Sequence, residues 1–381
     1  MDRPVYLDYN ATTPVDPAVA DAIEPYLRAH FGNPSSSHAY GRMAHEAVEE
    51  ARAQVAALIG AHPEEIVFTG CATEANNLAI RGVARAAGHK GRHLITSAVE
   101  HPAVTQPCNR LREEGWELSV VSVDRHGRVE PRDVARAMRG DTVVISIMHA
   151  NNEVGTIEPV EEIAAIARRH GVLVHTDAAQ SAGKIPVDVD ALGVDLLTLA
   201  GHKFYATQGI GALYVRQGTP MAPLLVGAGQ ERGLRPGTEN VPAIVGLGRA
   251  AELAREMCQE DGARQLGLRT CLHELLSEAI PGLERNGHPG LCLPNTLNLS
   301  FPDADARQLL SAASSAVAAS VGSACHAQGG SASGVLGAMG VTAERARGAI
   351  RLSLGRPTTR DDIERAATAL IAAWREARAI A

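Results

Sequence analysis

Three short segments each leave an apolar run for a polar one. They are Ile145-Ser146-Ile147-Met148-His149-Ala150-Asn151-Asn152-Glu153, His175-Thr176-Asp177-Ala178-Ala179-Gln180 and Leu199-Ala200-Gly201-His202-Lys203. Read as neighbouring strand ends, they offer Asn152, Asp177, Gln180, His202 and Lys203 to one place. A lysine amine can hold an aldehyde cofactor as a Schiff base. A carboxylate can pair with a pyridine nitrogen, so that the ring draws electrons. Together these are the demands of pyridoxal phosphate chemistry.

The chain has three lysines, Lys90, Lys184 and Lys203; its other basic side chains are arginines. Lys90 lies in the polar turn Ala87-Gly88-His89-Lys90-Gly91, and Lys184 in another turn, Ala182-Gly183-Lys184-Ile185-Pro186. Lys203 alone follows an apolar run and a glycine, so it is the candidate amine. Asp177 ends an apolar strand, where an unpaired carboxylate is costly; it could serve a cofactor nitrogen or cap the residues after it. His101 follows Thr96-Ser97-Ala98-Val99-Glu100, at a third change from strand to helix. Its imidazole could stack on a ring and carry protons, or be structural.

A phosphate needs backbone N–H groups at a helix start. Phe68-Thr69-Gly70-Cys71-Ala72-Thr73-Glu74 offers a strand, a glycine turn and a helix start, with a hydroxyl from Thr73; the same pattern also fits an ordinary N-cap. Farther on, Gly322 to Gly334 is Gly, Ala or Ser apart from Cys325, His326 and Gln328. Such a stretch buries little and predicts a mobile loop. Cys325 is then an exposed thiol able to travel, whereas the other five cysteines fall in helical or strand-like contexts and are expected to be inert.

The elements that must position these residues alternate. Strands are predicted at Ile66–Phe68, His93–Thr96, Val143–Ile147, Val172–His175, Leu196–Leu199 and Gly211–Val215. Helices are predicted from Thr73 to Ala87, from Pro102 onward, and from Pro159 to an end at Gly171, with proline opening and glycine closing the last of these. This is an α/β pattern with a mostly parallel sheet, whose function gathers at the carboxyl ends of strands. A long helix over Val245–Ala279 follows. Short strands near Thr296–Ser300, Val317–Val321 and Ala349–Leu354 and a last helix near Asp361 suggest a smaller α+β unit. The expected division is a large cofactor-binding domain, 15–250, and a small domain built from 1–14 with 251–381.

Composition narrows the function classes. The 381 residues are 45% hydrophobic and 21% charged, ordinary for a globular enzyme and unlike a disordered or fibrous chain. A net charge of −7 argues against a broad nucleic-acid surface. No apolar run is long enough for a membrane span, and Met1-Asp2-Arg3-Pro4 does not read as a secretory leader, so the cytoplasm is expected. The six cysteines form no Cys-x-x-Cys pair, so no metal site or disulfide framework is expected.

In order and spacing, the motifs resemble the cysteine desulfurases and selenocysteine lyases of the class V aminotransferase group. The carrying segments are Tyr6-Leu7-Asp8-Tyr9-Asn10-Ala11-Thr12-Thr13-Pro14, Gly32-Asn33-Pro34-Ser35-Ser36, Ala72-Thr73-Glu74, Glu100-His101, Asn151-Asn152-Glu153, Asp177-Ala178-Ala179-Gln180, Gly201-His202-Lys203, Arg235-Pro236-Gly237-Thr238, Gly322-Ser323-Ala324-Cys325 and Arg351-Leu352-Ser353-Leu354-Gly355-Arg356. The resemblance implies the fold-type I architecture, with a seven-stranded sheet in the large domain, and pyridoxal 5'-phosphate as cofactor. Lys203 would carry the Schiff base, and Asp177 would pair with the ring nitrogen. Gln180 and Asn152 would serve the ring hydroxyl or its surroundings, and His101 would stack and shuttle protons. Ala72, Thr73 and His202 would hold the phosphate, joined by Thr238 from a second subunit. Arg351, with Asn152, would bind the substrate, its guanidinium taking the carboxylate, and Cys325 would take sulfur from L-cysteine as a persulfide for an acceptor protein, in iron–sulfur assembly, tRNA thiolation or DNA phosphorothioation.

A homodimer is implied. So is an alternative substrate, selenocysteine, because Ala319-Ser320-Val321-Gly322, Ala324-Cys325-His326 and Gln230-Glu231-Arg232 look closer to selenocysteine lyases. A non-catalytic sulfur-transfer scaffold and an ordinary aminotransferase are the remaining readings. Ala200 stands where many desulfurases place a phosphate-binding serine.

Overall fold

The computed structural model describes residues 3–321 and 333–380. Among these the strands, in chain order, are β1 (Val5–Tyr6), β2 (Ile66–Thr69), β3 (His93–Ser97), β4 (Glu117–Val121), β5 (Thr142–Ser146), β6 (Leu173–Asp177), β7 (Leu196–Ala200), β8 (Gly211–Val215), β9 (Glu284–Asn286), β10 (Thr296–Ser300), β11 (Val317–Ala318) and β12 (Ala349–Ser353). Seven form one sheet in the order β2-β8-β7-β6-β5-β3-β4. Pairing is parallel from β7 through β6, β5 and β3 to β4, and antiparallel on both sides of β8. Only β8 therefore runs backwards. The carboxyl ends of β2, β3, β5, β6 and β7 all open on one edge.

The chemistry of the strands explains their burial. Every residue of β2, β3, β5 and β7 is buried, as expected for a sheet covered on both faces. Helices Ala72–Ala87, Pro102–Glu113 and Val160–Arg169 supply the cover. Pro159 is the N-cap of the last of these, and Gly171 turns the chain out of it at φ 67°. The edge strand β4, with exposed Val120, has no counterpart in the sequence reading. Its burial is partial, so its apolar pattern is weak.

A second sheet, β12-β10-β9, and the pair β1-β11 lie in the other part of the chain. Their core joins Val5 and Leu7 to Leu272, Leu276, Leu297, Leu299, Ile350, Leu352 and Trp374. The helix expected from Val245 begins earlier, at Val241, where Pro242 sits in the first turn and Asn240 caps the Ala243 N–H. It runs to Ala279; its first turns pack in the core of the large sheet and its last turns in the second core.

Candidate active site

A cavity of about 530 Å³ lies at the edge where those five strands end. That size suits a cofactor with a small substrate. Its walls include Ala72, Thr73, His101, Asn152, Asp177, Gln180, His202, Lys203 and Arg351. The sequence-predicted residues thus come together, with two exceptions. Thr238 is exposed and does not line the cavity. Cys325 and its neighbour His326 lie outside the described residues. Beyond that segment Gly334 and Val335 line the cavity, and before it Ser320 exchanges backbone hydrogen bonds at 2.8 and 3.3 Å with Arg351, a residue of the cavity wall.

Lys203 closes a single helical turn directly after β7. Gly201 permits that turn, because a Cβ there would meet Ile210 Cγ2 at 2.9 Å and Leu247 Cδ1 at 3.0 Å. The Lys203 amine donates to the carbonyls of Asn10 and Ala11 at 2.6 and 2.7 Å. Asp177, the last residue of β6, is buried; its Oδ2 accepts from Asn76 Nδ2 at 2.7 Å and its Oδ1 from the Ala179 N–H at 2.9 Å. It therefore caps the following turn, as one reading expected, and also lines the cavity. Asn76, on the buried face of helix Ala72–Ala87, escaped the sequence reading because its partner is far away in the chain.

His101 caps helix Pro102–Glu113, its Nδ1 accepting from the Ala103 N–H at 3.1 Å. With that lone pair engaged, the neutral ring carries its proton on Nε2. Burial pushes the His101 pKa down, the Asp177 charge pulls it up and Lys203 lowers it. His202 Nδ1 pairs with Thr12 Oγ1 at 3.1 Å, and burial lowers its pKa to about 4. Arg351, also buried, spans Asp8 Oδ1 at 2.7 Å and the Asn152 carbonyl at 3.0 Å.

The donor set fits pyridoxal phosphate. Helix Ala72–Ala87 begins without a capping side-chain bond, and its first residues, Ala72 and Thr73, line the cavity; such a helix start can bind a phosphate. Three buried polar atoms of cavity residues, Asn76 Oδ1, Glu100 Oε2 and Arg351 Nε, have no hydrogen-bond partner, as expected where a polar guest completes a site. Ala200, 1% exposed, adds no donor there.

Lys184 lies in a turn, as read, and its amine is packed against Gln180 Oε1 at 2.7 Å and Asn10 Oδ1 at 3.0 Å. One expectation needs correction. Cys71 is neither buried nor within a helix or strand: it is exposed, precedes helix Ala72–Ala87 and lines the cavity.

The aminotransferase class-V family model matches residues 5–366. The chain belongs to the class-V aminotransferase family. That family depends on pyridoxal phosphate, the group these residues fit. Among similar proteins is a cysteine desulfurase IscS of Dictyoglomus turgidum, 48% identical over 364 residues that span 95% of this chain and 92% of the relative. Solved neighbours include a NifS-like protein, with TM-score 0.91, 38% identity and coverage of 97% of this chain and 99% of that one. Another is SspA in complex with cysteine, with TM-score 0.82 and 38% identity over 92% of this chain and 98% of that one. The α/β fold with its mostly parallel seven-stranded sheet is the fold of these class-V relatives.

Proposed function

We propose that this chain is a pyridoxal phosphate-dependent cysteine desulfurase that converts L-cysteine to L-alanine and passes the sulfur to an acceptor protein. The observation that carries the reading is the meeting of Lys203, Asp177 and His101 in one cavity that Gly334 and Val335, just after the Cys325 segment, also line. The cysteine desulfurase relative and the cysteine-bound neighbour support the same substrate. When bound, the cofactor supplies an electron sink that makes the substrate's Cα proton acidic.

The chain's own residues supply the rest. Asp177, held by Asn76, presents a carboxylate to the ring nitrogen. Ala72, Thr73 and His202 hold the phosphate, and Gln180 and Asn152 face the ring oxygen. Arg351 keeps N–H groups for the substrate carboxylate, a geometry suited to guanidinium. The Lys203 amine takes the proton from Cα. His101, protonated on Nε2, is arranged to donate rather than to accept. The Cys325 thiolate attacks the substrate sulfur; an S–S bond forms as the C–S bond breaks, and the carbon keeps the electron pair and takes a proton. Alanine leaves, and Cys325 keeps the sulfur as a persulfide.

Further parts of this reading are a homodimer, a cytoplasmic enzyme, and the division into 15–250 and 1–14 with 251–381. The dimer is supported by exposed Val226, at 97%, and Leu225, at 57%, and by a Thr238 that does not reach its own cavity. The separate core that Val5 and Leu7 share with Leu272 and Trp374 supports the division.

The test is incubation with L-cysteine, measuring alanine and locating the persulfide by mass. Alanine formation with a persulfide on Cys325 is expected, and its loss in Cys325→Ser. Desulfuration that survives in Cys325→Ser assigns the nucleophile elsewhere. Release of selenide from selenocysteine without turnover of cysteine replaces the reading with a selenocysteine lyase.

A further inference from the structure

The reading above leaves the Lys184 amine without a task. Lys184 does not line the cavity; it lies behind Gln180, which does. Its Nζ meets two carboxamide oxygens, Gln180 Oε1 at 2.7 Å and Asn10 Oδ1 at 3.0 Å. The nitrogens of both carboxamides are already committed. Gln180 Nε2 donates to the Asn10 carbonyl at 3.0 Å, the same carbonyl that accepts from the Lys203 amine at 2.6 Å. Asn10 Nδ2 donates to the Asn152 carbonyl at 3.2 Å and to Thr296 Oγ1 at 2.9 Å, and Asn295 Nδ2 adds a second donor to Asn10 Oδ1 at 3.0 Å. Each amide orientation therefore follows from its neighbours, and Lys184 closes the chain of constraints.

We propose that Lys184 is a positioning residue for the cofactor site: its amine holds Gln180 Oε1 away from the cavity, so that Gln180 Nε2 faces the place where Lys203 and the cofactor meet. A lysine ammonium can only donate. It rejects the flipped carboxamide, which would bring two sets of N–H groups together and aim an oxygen at the Asn10 carbonyl. Burial presses the Lys184 pKa well below its ordinary value, with the charges of Lys203 and Arg351 adding to the effect. The neutral amine keeps the same direction, because the facing atoms are both acceptors. The consequence is a cofactor pocket whose Gln180 amide is oriented before anything binds, which lowers the cost of binding.

This inference rests on the pyridoxal phosphate reading, and the experiment separates the two. Cofactor-free protein is titrated with pyridoxal phosphate, following the visible band, for wild type, Lys184→Met, Gln180→Ala and the double variant. Wild type failing to develop a band rejects the cofactor reading itself. With that band present, Lys184→Met is expected to weaken cofactor affinity about tenfold, the scale of one hydrogen bond to a polar guest, and to shift the pH midpoint of the band. In the Gln180→Ala background the same substitution should change affinity less than about twofold, because the amide it acts through is gone. Wild-type affinity and midpoint in a folded Lys184→Met, or an undiminished effect in the Gln180→Ala background, overturns the proposal. If the Met variant does not fold, Lys184→Leu, which likewise has no donor, carries the same cycle with the same two deciding outcomes.

Discussion

The amines of Lys203 and Lys184 both end on Asn10, yet on different atoms. Lys203 meets the backbone carbonyl, and Lys184 meets the carboxamide oxygen. One is therefore aimed into the cavity and the other behind its wall. Lys203→Ala should lose the visible cofactor band and all alanine release, with no rescue from the neighbouring amine; absorbance and amino-acid analysis check both. Asp177→Asn should fold and lower turnover at least about a hundredfold, the scale of removing a preorganised charge from a reacting centre. Lys203 was legible in the sequence because an apolar run and a glycine precede it. Lys184 was not, because the turn around it resembles any exposed turn and Asn10, which makes the turn an interior one, is far off in the chain. Asn76 was hidden for the same reason: on helical periodicity it reads as one more core-facing position.

At the scale of elements, strand ends were legible and the supports beneath them were not. The end of β2 leads to the helix start proposed for phosphate, and it is braced from a distance. Arg52, from helix Ala39–Leu58, makes paired bonds to Glu231 at 2.7 and 2.8 Å and a third to the Ile66 carbonyl at 2.9 Å. Glu231 Oε2 also accepts from the Phe68 N–H at 2.8 Å. Both side chains are buried, and Glu231 holds a left-handed backbone at φ 47° to reach them, a conformation costly for a residue other than glycine. The sequence marked Gln230-Glu231-Arg232 only as a point of resemblance; its work is to tie the segment that precedes Thr238 to β2. Glu231→Ala leaves the buried Arg52 guanidinium with only the partly exposed Glu49 carboxylate, at 3.0 Å, and should cost about 3 kcal/mol, read by denaturant unfolding. An effect under about 1 kcal/mol would show that water replaces the carboxylate.

Across the whole molecule, two kinds of buried group set opposite pH limits. His175 lies in the centre of the large sheet, between Ser146 Oγ at 2.8 Å and Thr198 Oγ1 at 3.1 Å, so one polar rung crosses β5, β6 and β7. Burial lowers its pKa to about 3. The folded ring stays neutral while the unfolded chain takes up a proton below about pH 6.5. Its contribution to stability is therefore complete above that pH and is lost as pH falls toward 3, at about 1.4 kcal/mol per pH unit. Glu158 behaves in reverse. Its Oε2 accepts from the Val129 N–H at 2.8 Å, its Oε1 has no partner, and burial raises its pKa to about 8. The folded carboxyl keeps its proton where the unfolded one has released it. Its contribution is complete below about pH 4.5 and is lost as pH rises through 8. Unfolding free energies between pH 5 and 8 should therefore separate the two. Glu158→Gln, neutral at every pH, should gain on wild type progressively from about pH 4.5 to 8 and hold that gain above. His175→Gln, which can keep both hydroxyl partners, should remove up to about 1.4 kcal/mol per unit of acid-side slope and leave the Glu158 effect in place. A His175→Gln profile parallel to wild type below pH 6 would mean that the folded ring is already protonated at the heart of the sheet, and that the rung between Ser146 and Thr198 carries a charge.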